Sequence, residues 1–587
     1  MLRSFRELPV RAKRQFVRDL RVDPYLRYIL VVSVFLTGFW FWHRIPNFAT
    51  RDERARVLDV LVAYGTVFSD PSIDSFRTGI EWGRPYGATF YLYAIVLFPV
   101  VLLTVLFGTS DVVLAFDSPT ATFGYWPVWN TVPEWFWMVC LSLVRLTSVV
   151  FAVGSVYLTY RIGTLLRDRM SGRLAATMLT ITFGFLVVAH EGGEDVPSLF
   201  FILLTLYLAL RYIDTGDEAV YLAGCVVGGI AIAFKFTAAP LVVLLGLAFF
   251  LRARHVEDRW ATLVRPKTIV AGAGLGAVTI VLGFPSVFVS GFDPLIERIT
   301  QGMGRSEQSH GPTAPIWWWY LRSYANGLGL PLSIASVLGV LGSVLRLRDR
   351  SIETSGVLLL LGGIGSYLVL FSSWQNFRVH HLLPTFPMLA ILVGVTVSRL
   401  FARSQRLARP ILAVLLVTGG AYAVVGDLGY ATQPMDDATT WLDRNASENA
   451  SMEVYRADMH DIAVPHGMTV HHPNARAQNN DDNADARCPE YLQLGYRDLY
   501  FLNPETPGRT NPSRAAYIRS LLNGSRNYEI AAEFGRRPDD YAANPSSPGS
   551  VRDALWVGLV PRVPQYGDEQ DLGPDQFTVV LHRTGPC

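Results

Sequence analysis

Long apolar runs separated by short arginine-bearing loops set the pattern of the first 430 residues. The first run begins near Tyr28, after a segment carrying Arg3, Arg6, Arg11, Lys13, Arg14, Arg18, Arg21 and Arg27. No small-residue cleavage site follows it, so the pattern reads as a cytoplasmic basic tail (1–27) and a retained first helix. Further runs long enough to cross a bilayer lie near residues 88–107, 135–160, 174–190, 197–213, 268–290, 327–345, 356–373, 382–400 and 411–427. The run over 221–251 is too long for one crossing and divides into two short helices meeting at Lys235-Phe236-Thr237. The fold class predicted is a polytopic α-helical membrane bundle of roughly 11 to 13 transmembrane helices, with a soluble α/β domain after it.

Arginine placement orients the bundle. Four basic loops, at Arg161–Arg173, Arg252–Lys267, Arg346–Arg350 and Arg399–Arg409, fall on the cytoplasmic side by the positive-inside rule. The alternate loops then face outward: 44–87, the His190–Asp195 turn, Lys235, 291–326 and Trp374–His381. Twelve runs cannot join an inside N-terminus to an outside C-terminus, so either 108–134 hides a crossing or one run does not span. Beyond 430 the composition changes, and residues 431–587 carry 14 arginines, no lysine and 22 acidic residues, a net charge of −8. This reads as an external soluble domain with helices near 437–445 and 513–522, short apolar pieces such as 498–502 and a final strand near 577–582. The localisation expected is a multi-pass cell membrane protein, N-terminus cytoplasmic and C-terminal domain extracellular.

A chain that is 50% hydrophobic and 17% charged, with a mean hydropathy of +0.27, is too apolar for an ordinary soluble enzyme. The lipid bilayer is the first partner implied, and 51 basic against 49 acidic residues remove the electrostatic case for nucleic acid. Three lysines stand against 48 arginines, which makes Lys235, inside an apolar stretch, a residue to explain. Four cysteines without a CxxC pair exclude a cysteine-rich zinc module. Cys140 and Cys225 read as small core residues, while Cys488 and Cys587 in the oxidising exterior are candidates for a disulfide, a frayed free terminus being the alternative. Asn445, Asn449 and Asn523 open glycosylation sequons, which arise often by chance.

Candidate chemistry gathers on the outward loops. Arg51-Asp52-Glu53-Arg54 is either a solvated helix start, where acids suit the dipole, or a base with an orienting or metal-binding neighbour. Gly83-Arg84-Pro85-Tyr86 sets a cation before an aromatic helix, as interfacial anchor or ligand. His190, Glu191, Glu194 and Asp195 form a turn that is expensive near lipid, so it is a polar turn or a cavity wall. Zinc at His190 and Glu194 would need further ligands, and no HExxH is present. Lys235 snorkels to the interface or binds a lipid phosphate. Arg378, followed by His380-His381-Leu-Leu-Pro384, is again an anchor or a phosphate ligand.

In their order, these motifs resemble the C-type glycosyltransferase superfamily, in the branch of protein O-mannosyltransferases and lipid A aminoarabinose transferases, over roughly residues 25–430. The resemblance implies a polyprenyl (dolichyl) phosphate sugar donor, a glycan, glycolipid or glycoprotein acceptor, and inverting transfer on the external face. It implies that Asp52 is the catalytic base, with Glu53 and Asp195 in catalytic positions, and that Arg84, Lys235 and Arg378 bind the donor phosphate. His190, Glu191, Glu194, Tyr86, His380 and His381 are then candidates for lining the cavity. No cofactor is required, although a divalent metal near Asp52 or His190/Glu194 is compatible. This chain departs from the family's Lys-Gly break with Phe236, and from its Pro-Pro with Pro85-Tyr86. A salt-adapted archaeal surface fits the composition. The rival readings are a transporter or lipid flippase, which predicts repeats and ionisable groups at the bilayer midplane, a surface receptor or adhesion scaffold, and an asparagine-directed oligosaccharide transferase, whose Trp-Trp-Asp motif is missing at Trp317-Trp318-Trp319-Tyr320.

Overall fold

A computed structural model describes residues 2–82, 87–119, 125–304, 314–347, 351–374, 378–431, 433–454, 462–471, 489–503, 511–543, 550–561 and 577–586. Arg84, Tyr86, Cys488 and Cys587, all named above, lie outside them. Among the described residues seven helices are long and apolar enough to cross a membrane. Two bent pairs, Arg169–Thr180 with Phe183–Ala189 (63°) and Ile316–Leu328 with Leu330–Val344 (113°), pass the same test together. Pro24–Thr37, Glu218–Phe234 and Pro266–Leu282 are shorter and equally apolar.

The ends of these helices sort into two groups by what they touch. At one end Asp23 caps the first apolar helix and meets Tyr160 (2.8 Å) and Arg173 (2.9 Å). There Arg161 meets Asp19, Arg265 meets Glu218, and Arg167 and Arg399 both meet Glu353. This is the end with the arginine-rich loops. At the other end His190 reaches the Leu36 carbonyl (3.0 Å), Lys235 meets Asp195, and Tyr430 meets Glu191.

One expected crossing does not join the two ends. Gly87, which opens the Gly87–Leu106 helix, approaches Ala233 and Phe284, and Tyr93 donates to the Gly193 carbonyl at 3.3 Å. Its far half packs with Phe116, which stacks edge-on against Trp137 in the first turns of the Glu134–Leu166 helix. Both ends of the run near 88–107 therefore stay with the Lys235 end. The stretch 108–134 hides no crossing in its described part, where only Ser110–Leu114 and Trp126–Thr131 are helical. With each bent pair counted once, eleven helices join the two ends among the described residues. An odd number puts the basic tail and the C-terminal residues at opposite ends, which removes the parity conflict.

The long run over 221–251 divides as expected, into Glu218–Phe234 and Pro240–Ala253 around a 3₁₀ turn at Phe236–Ala238. Cys140 and Cys225 are buried free thiols. The C-terminal part holds a mixed five-stranded sheet of β1 (Ser451–Val454), β2 (Thr469–His471), β3 (Tyr491–Gly495), β4 (Tyr528–Phe534) and β5 (Thr578–Arg583) in the order β2-β1-β3-β5-β4. β1 runs parallel to β2 and β3, and β5 antiparallel to β3 and β4. Helices Pro434–Asn445 and Pro512–Leu522 fall where expected, whereas the apolar piece at 498–502 is one helical turn and a 3₁₀ turn. The sheet domain is seated on the helices by Asn130 to the Met468 carbonyl (2.9 Å), Arg44 to Asp436 (3.1 Å) and Trp318 Nε1 to the Ser550 carbonyl (2.8 Å).

Candidate active site

Thr50 starts the helix that positions the first acids. In an extended conformation, its hydroxyl accepts from Glu53 N at 3.1 Å, while Glu53 Oε2 accepts from Ala49 N at 2.6 Å. Thr50-x-x-Glu53 thus closes a reciprocal cap, a pattern readable in sequence. Glu53 is wholly buried and gripped by Arg145, with Nε at 2.7 Å from Oε1 and Nη2 at 2.8 Å from Oε2. Arg145 also donates to the carbonyls of Phe41, His43 and Asn47, which ties down the loop entering the helix. Gly192 N donates to Glu53 Oε1 at 2.9 Å, and a Cβ on Gly192 would come within 2.4 Å of Val144, so only glycine fits. The expectation that Glu53 stands beside Asp52 as a catalytic acid is corrected here. Its oxygens already accept four hydrogen bonds and it does not line the pocket, because the helix turn points it into the protein.

Asp52, one residue earlier, points the other way. It lines an open pocket of about 240 Å³ together with Thr50, Glu191, Gly192, Gly193 and Asp195. Asp195 begins the Asp195–Thr215 helix and pairs with Lys235 at 2.5 Å. Lys235 sits at the C-terminal cap of Glu218–Phe234, where the backbone opens to an extended conformation and the following turn stacks Phe236 on Phe284 (5.1 Å). Burial lowers the proton affinity of Lys235, but Asp195, Glu194 and Asp52 outweigh it and hold the ammonium charged. Glu194 pairs with Arg56 at 3.0 Å. Burial pushes this carboxyl up, and Arg56 and then Lys235 pull it down to about 2. Asp59, a turn further along the same helix, is pushed up to about 7 by burial against the opposing pull of Arg56.

The His190–Asp195 turn is therefore a cavity wall, with its groups sent to different partners. His190 Nε2 faces the Leu36 carbonyl, Glu191 faces Tyr430, Glu194 faces Arg56, and Asp195 faces Lys235. A metal near Asp52 or His190/Glu194 does not fit this donor set. His190 and Glu194 are engaged elsewhere, an ammonium already occupies the side of Asp195, and no three His, Cys, Asp or Glu side chains gather among the described residues. Arg378, His380 and His381 lie on the Val379–Leu382 turn, whose Val379 is packed near Gly184 and Gly327. His381 accepts from Arg378 N (3.0 Å) and packs on Phe371 and Trp374, so these residues share the end of the bundle with the pocket without lining it. Arg56, Arg145 and Tyr430 are the functional residues that sequence reasoning missed. Arg145 carried a signal, a lone arginine in the middle of an apolar run.

The fold and this pocket are those of a C-type glycosyltransferase, the class read from the motifs. In three dimensions the chain matches archaeal AglB from Archaeoglobus fulgidus, an oligosaccharyltransferase in complex with an inhibitory peptide and a dolichol-phosphate. The TM-score is 0.50 at 12% identity, over 95% of this chain and 88% of that one. ArnT from Cupriavidus metallidurans, bound to undecaprenyl phosphate, matches at 0.48 and 13% identity, over 96% of this chain and 98% of that one. In sequence, residues 134–282 match the dolichyl-phosphate-mannose-protein mannosyltransferase family. No curated protein matches the chain in sequence.

Proposed function

We propose that the protein transfers a sugar from a polyprenyl phosphate to an acceptor hydroxyl, at the outward end of the bundle. The observation that carries this reading is one pocket in which an open carboxylate, Asp52, faces a buried ammonium, Lys235, held by Asp195. The matched family acts with dolichyl-phosphate-mannose, and the archaeal neighbour is described with dolichol-phosphate.

The chemistry follows from charge. As the acceptor oxygen attacks the anomeric carbon, the bond from that carbon to the phosphate oxygen breaks, and negative charge grows on the departing lipid phosphate. Lys235 stabilises that charge, joined by Arg84 and Arg378 from the same end. Asp52 accepts the proton that the hydroxyl loses, and attack opposite the leaving group inverts the anomeric configuration. Glu53 acts as a positioning residue, fixing the helix turn that aims Asp52, and no step is routed through a metal. The acceptor is a glycan, glycolipid or glycoprotein. A transporter or flippase accounts less well for buried ion pairs gathered at one end of the helices. The test is to incubate membranes holding the full chain with a panel of polyprenyl-phosphate sugars and measure free polyprenyl phosphate. Release in the wild type that is absent in Asp52→Asn supports the reading, and no release from any donor overturns it.

A further inference from the structure

A chain of three buried groups leads from the pocket wall into the protein. The Tyr430 hydroxyl lies 2.5 Å from Glu191 Oε1 and 3.1 Å from His43 Nε2, and His43 Nδ1 lies 2.8 Å from the Trp40 carbonyl oxygen. All three side chains are at most 4% exposed, and Glu191 lines the same pocket as Asp52. Counting hydrogens decides their state. A carbonyl oxygen only accepts, so His43 Nδ1 carries a hydrogen. A neutral His43 then presents a bare Nε2, which accepts from Tyr430. With its one hydrogen so placed, the Tyr430 oxygen can meet Glu191 only if Glu191 brings a proton.

The other complete arrangement makes His43 an imidazolium and Glu191 a carboxylate. The surroundings oppose it. Burial first, and the Arg145 guanidinium next, hold His43 well below the usual imidazole range, and Arg145 Nη1 donates to the backbone carbonyl of His43 itself at 2.5 Å. His190 adds to the same side, while Arg145 is neutralised by Glu53. Around Glu191 the pocket already gathers Asp52, Glu194 and Asp195 against Lys235 and Arg56.

We infer that Glu191 stands in the pocket wall as a neutral carboxyl group, and that Glu191, Tyr430 and His43 form a proton relay leading away from Asp52. The relay's catalytic use rests on the function proposed above, whereas the protonation of Glu191 does not. In the step, a proton leaving Asp52 forms an O–H bond at Glu191 Oε2. The Oε1–H bond breaks as that proton passes to the Tyr430 oxygen, and the Tyr430 proton passes to His43 Nε2. One proton enters, one positive charge appears on His43, and Glu191 and Tyr430 remain neutral. The reverse shift resets the chain.

The test uses the full chain in lipid nanodiscs, with thermal midpoint against pH and polyprenyl phosphate release as readouts. In Glu191→Gln the amide N–H replaces the acid proton, so the midpoint at low pH should match the wild type, and the fall in midpoint as pH rises and the proton is lost should disappear. Its transfer rate should drop about tenfold, the worth of one strong hydrogen-bonded link. Tyr430→Phe keeps the ring beside His43 and cuts the chain, so it should slow transfer equally, and the double variant no further. If Glu191→Gln lowers the midpoint as much as Tyr430→Phe, or keeps the wild-type pH dependence, Glu191 is a plain carboxylate and the inference fails. If wild-type membranes release nothing, the proposed function fails, and the midpoint curves still decide the protonation.

Discussion

The two ends of the bundle use charge in opposite ways. At the arginine-rich end, pairs such as Arg265–Glu218 and Arg167–Glu353 keep a quarter to two fifths of each side chain in solvent. At the pocket end, Arg145–Glu53 is fully enclosed and Arg56–Glu194 is less than a tenth exposed. Exposed pairs are worth little, because water screens them and long side chains lose freedom when held. Enclosed pairs are costly to break, since the remaining charge has no solvent. The basic end thus records orientation, while the pocket end has its geometry fixed by pairs that leave Asp52 facing the cavity.

That contrast predicts a ranked series of effects. Asp52→Asn should lower transfer by about a thousandfold with folding intact, as expected for loss of a general base, measured as polyprenyl phosphate release from purified protein. Near-normal turnover would reduce Asp52 to a helix-start residue and leave the pocket end as purely structural as the other. Lys235→Met should cost about 2 to 4 kcal/mol of transition-state stabilisation, read as a drop in kcat/KM for the donor. Arg145→Gln, which touches no substrate, should destabilise by about 3 to 5 kcal/mol in a thermal or denaturant melt, because Glu53 is left buried and unpaired. At the other end Arg265→Gln should change stability by less than about 1 kcal/mol. Equal effects of these last two changes would erase the comparison.

The pH dependence sharpens it further. Glu194 is held at about 2, below its unfolded value of about 4.3, so its stabilisation is present above that value and lost as pH falls toward 2. Asp59 is pushed up to about 7, above an unfolded value of about 3.9, so the folded protein loses stability as pH rises between the two. Glu194→Gln should flatten the acid side of the melting profile, and Asp59→Asn the slope from about 4 to 7.

The bundle was legible because apolar length and arginine bias are local signals, and so was the break at Lys235, where a cation interrupts an apolar run. The run near 88–107 misled because its composition is that of a span, while its position depends on packing against the extended start of the Glu134–Leu166 helix. Within the site, types of residue could be read but not directions. Asp52 and Glu53 are adjacent in sequence, yet a helical turn sends one to the pocket and the other to Arg145, 92 residues away. Tyr430 had no local signal at all, since a tyrosine at the outer end of an apolar helix reads as an ordinary interfacial residue.

The reach of Tyr430 carries a consequence for how the molecule is made. Its partner Glu191 precedes it by 239 residues and His43 by 387, and it sits near the end of the last apolar helix. During synthesis every earlier span is inserted before this one leaves the ribosome, so the pocket wall lacks a member until nearly all the membrane part exists. Nascent chains are thereby kept inactive toward lipid-linked sugars, and arrival of the final helix serves as the checkpoint that licenses the site.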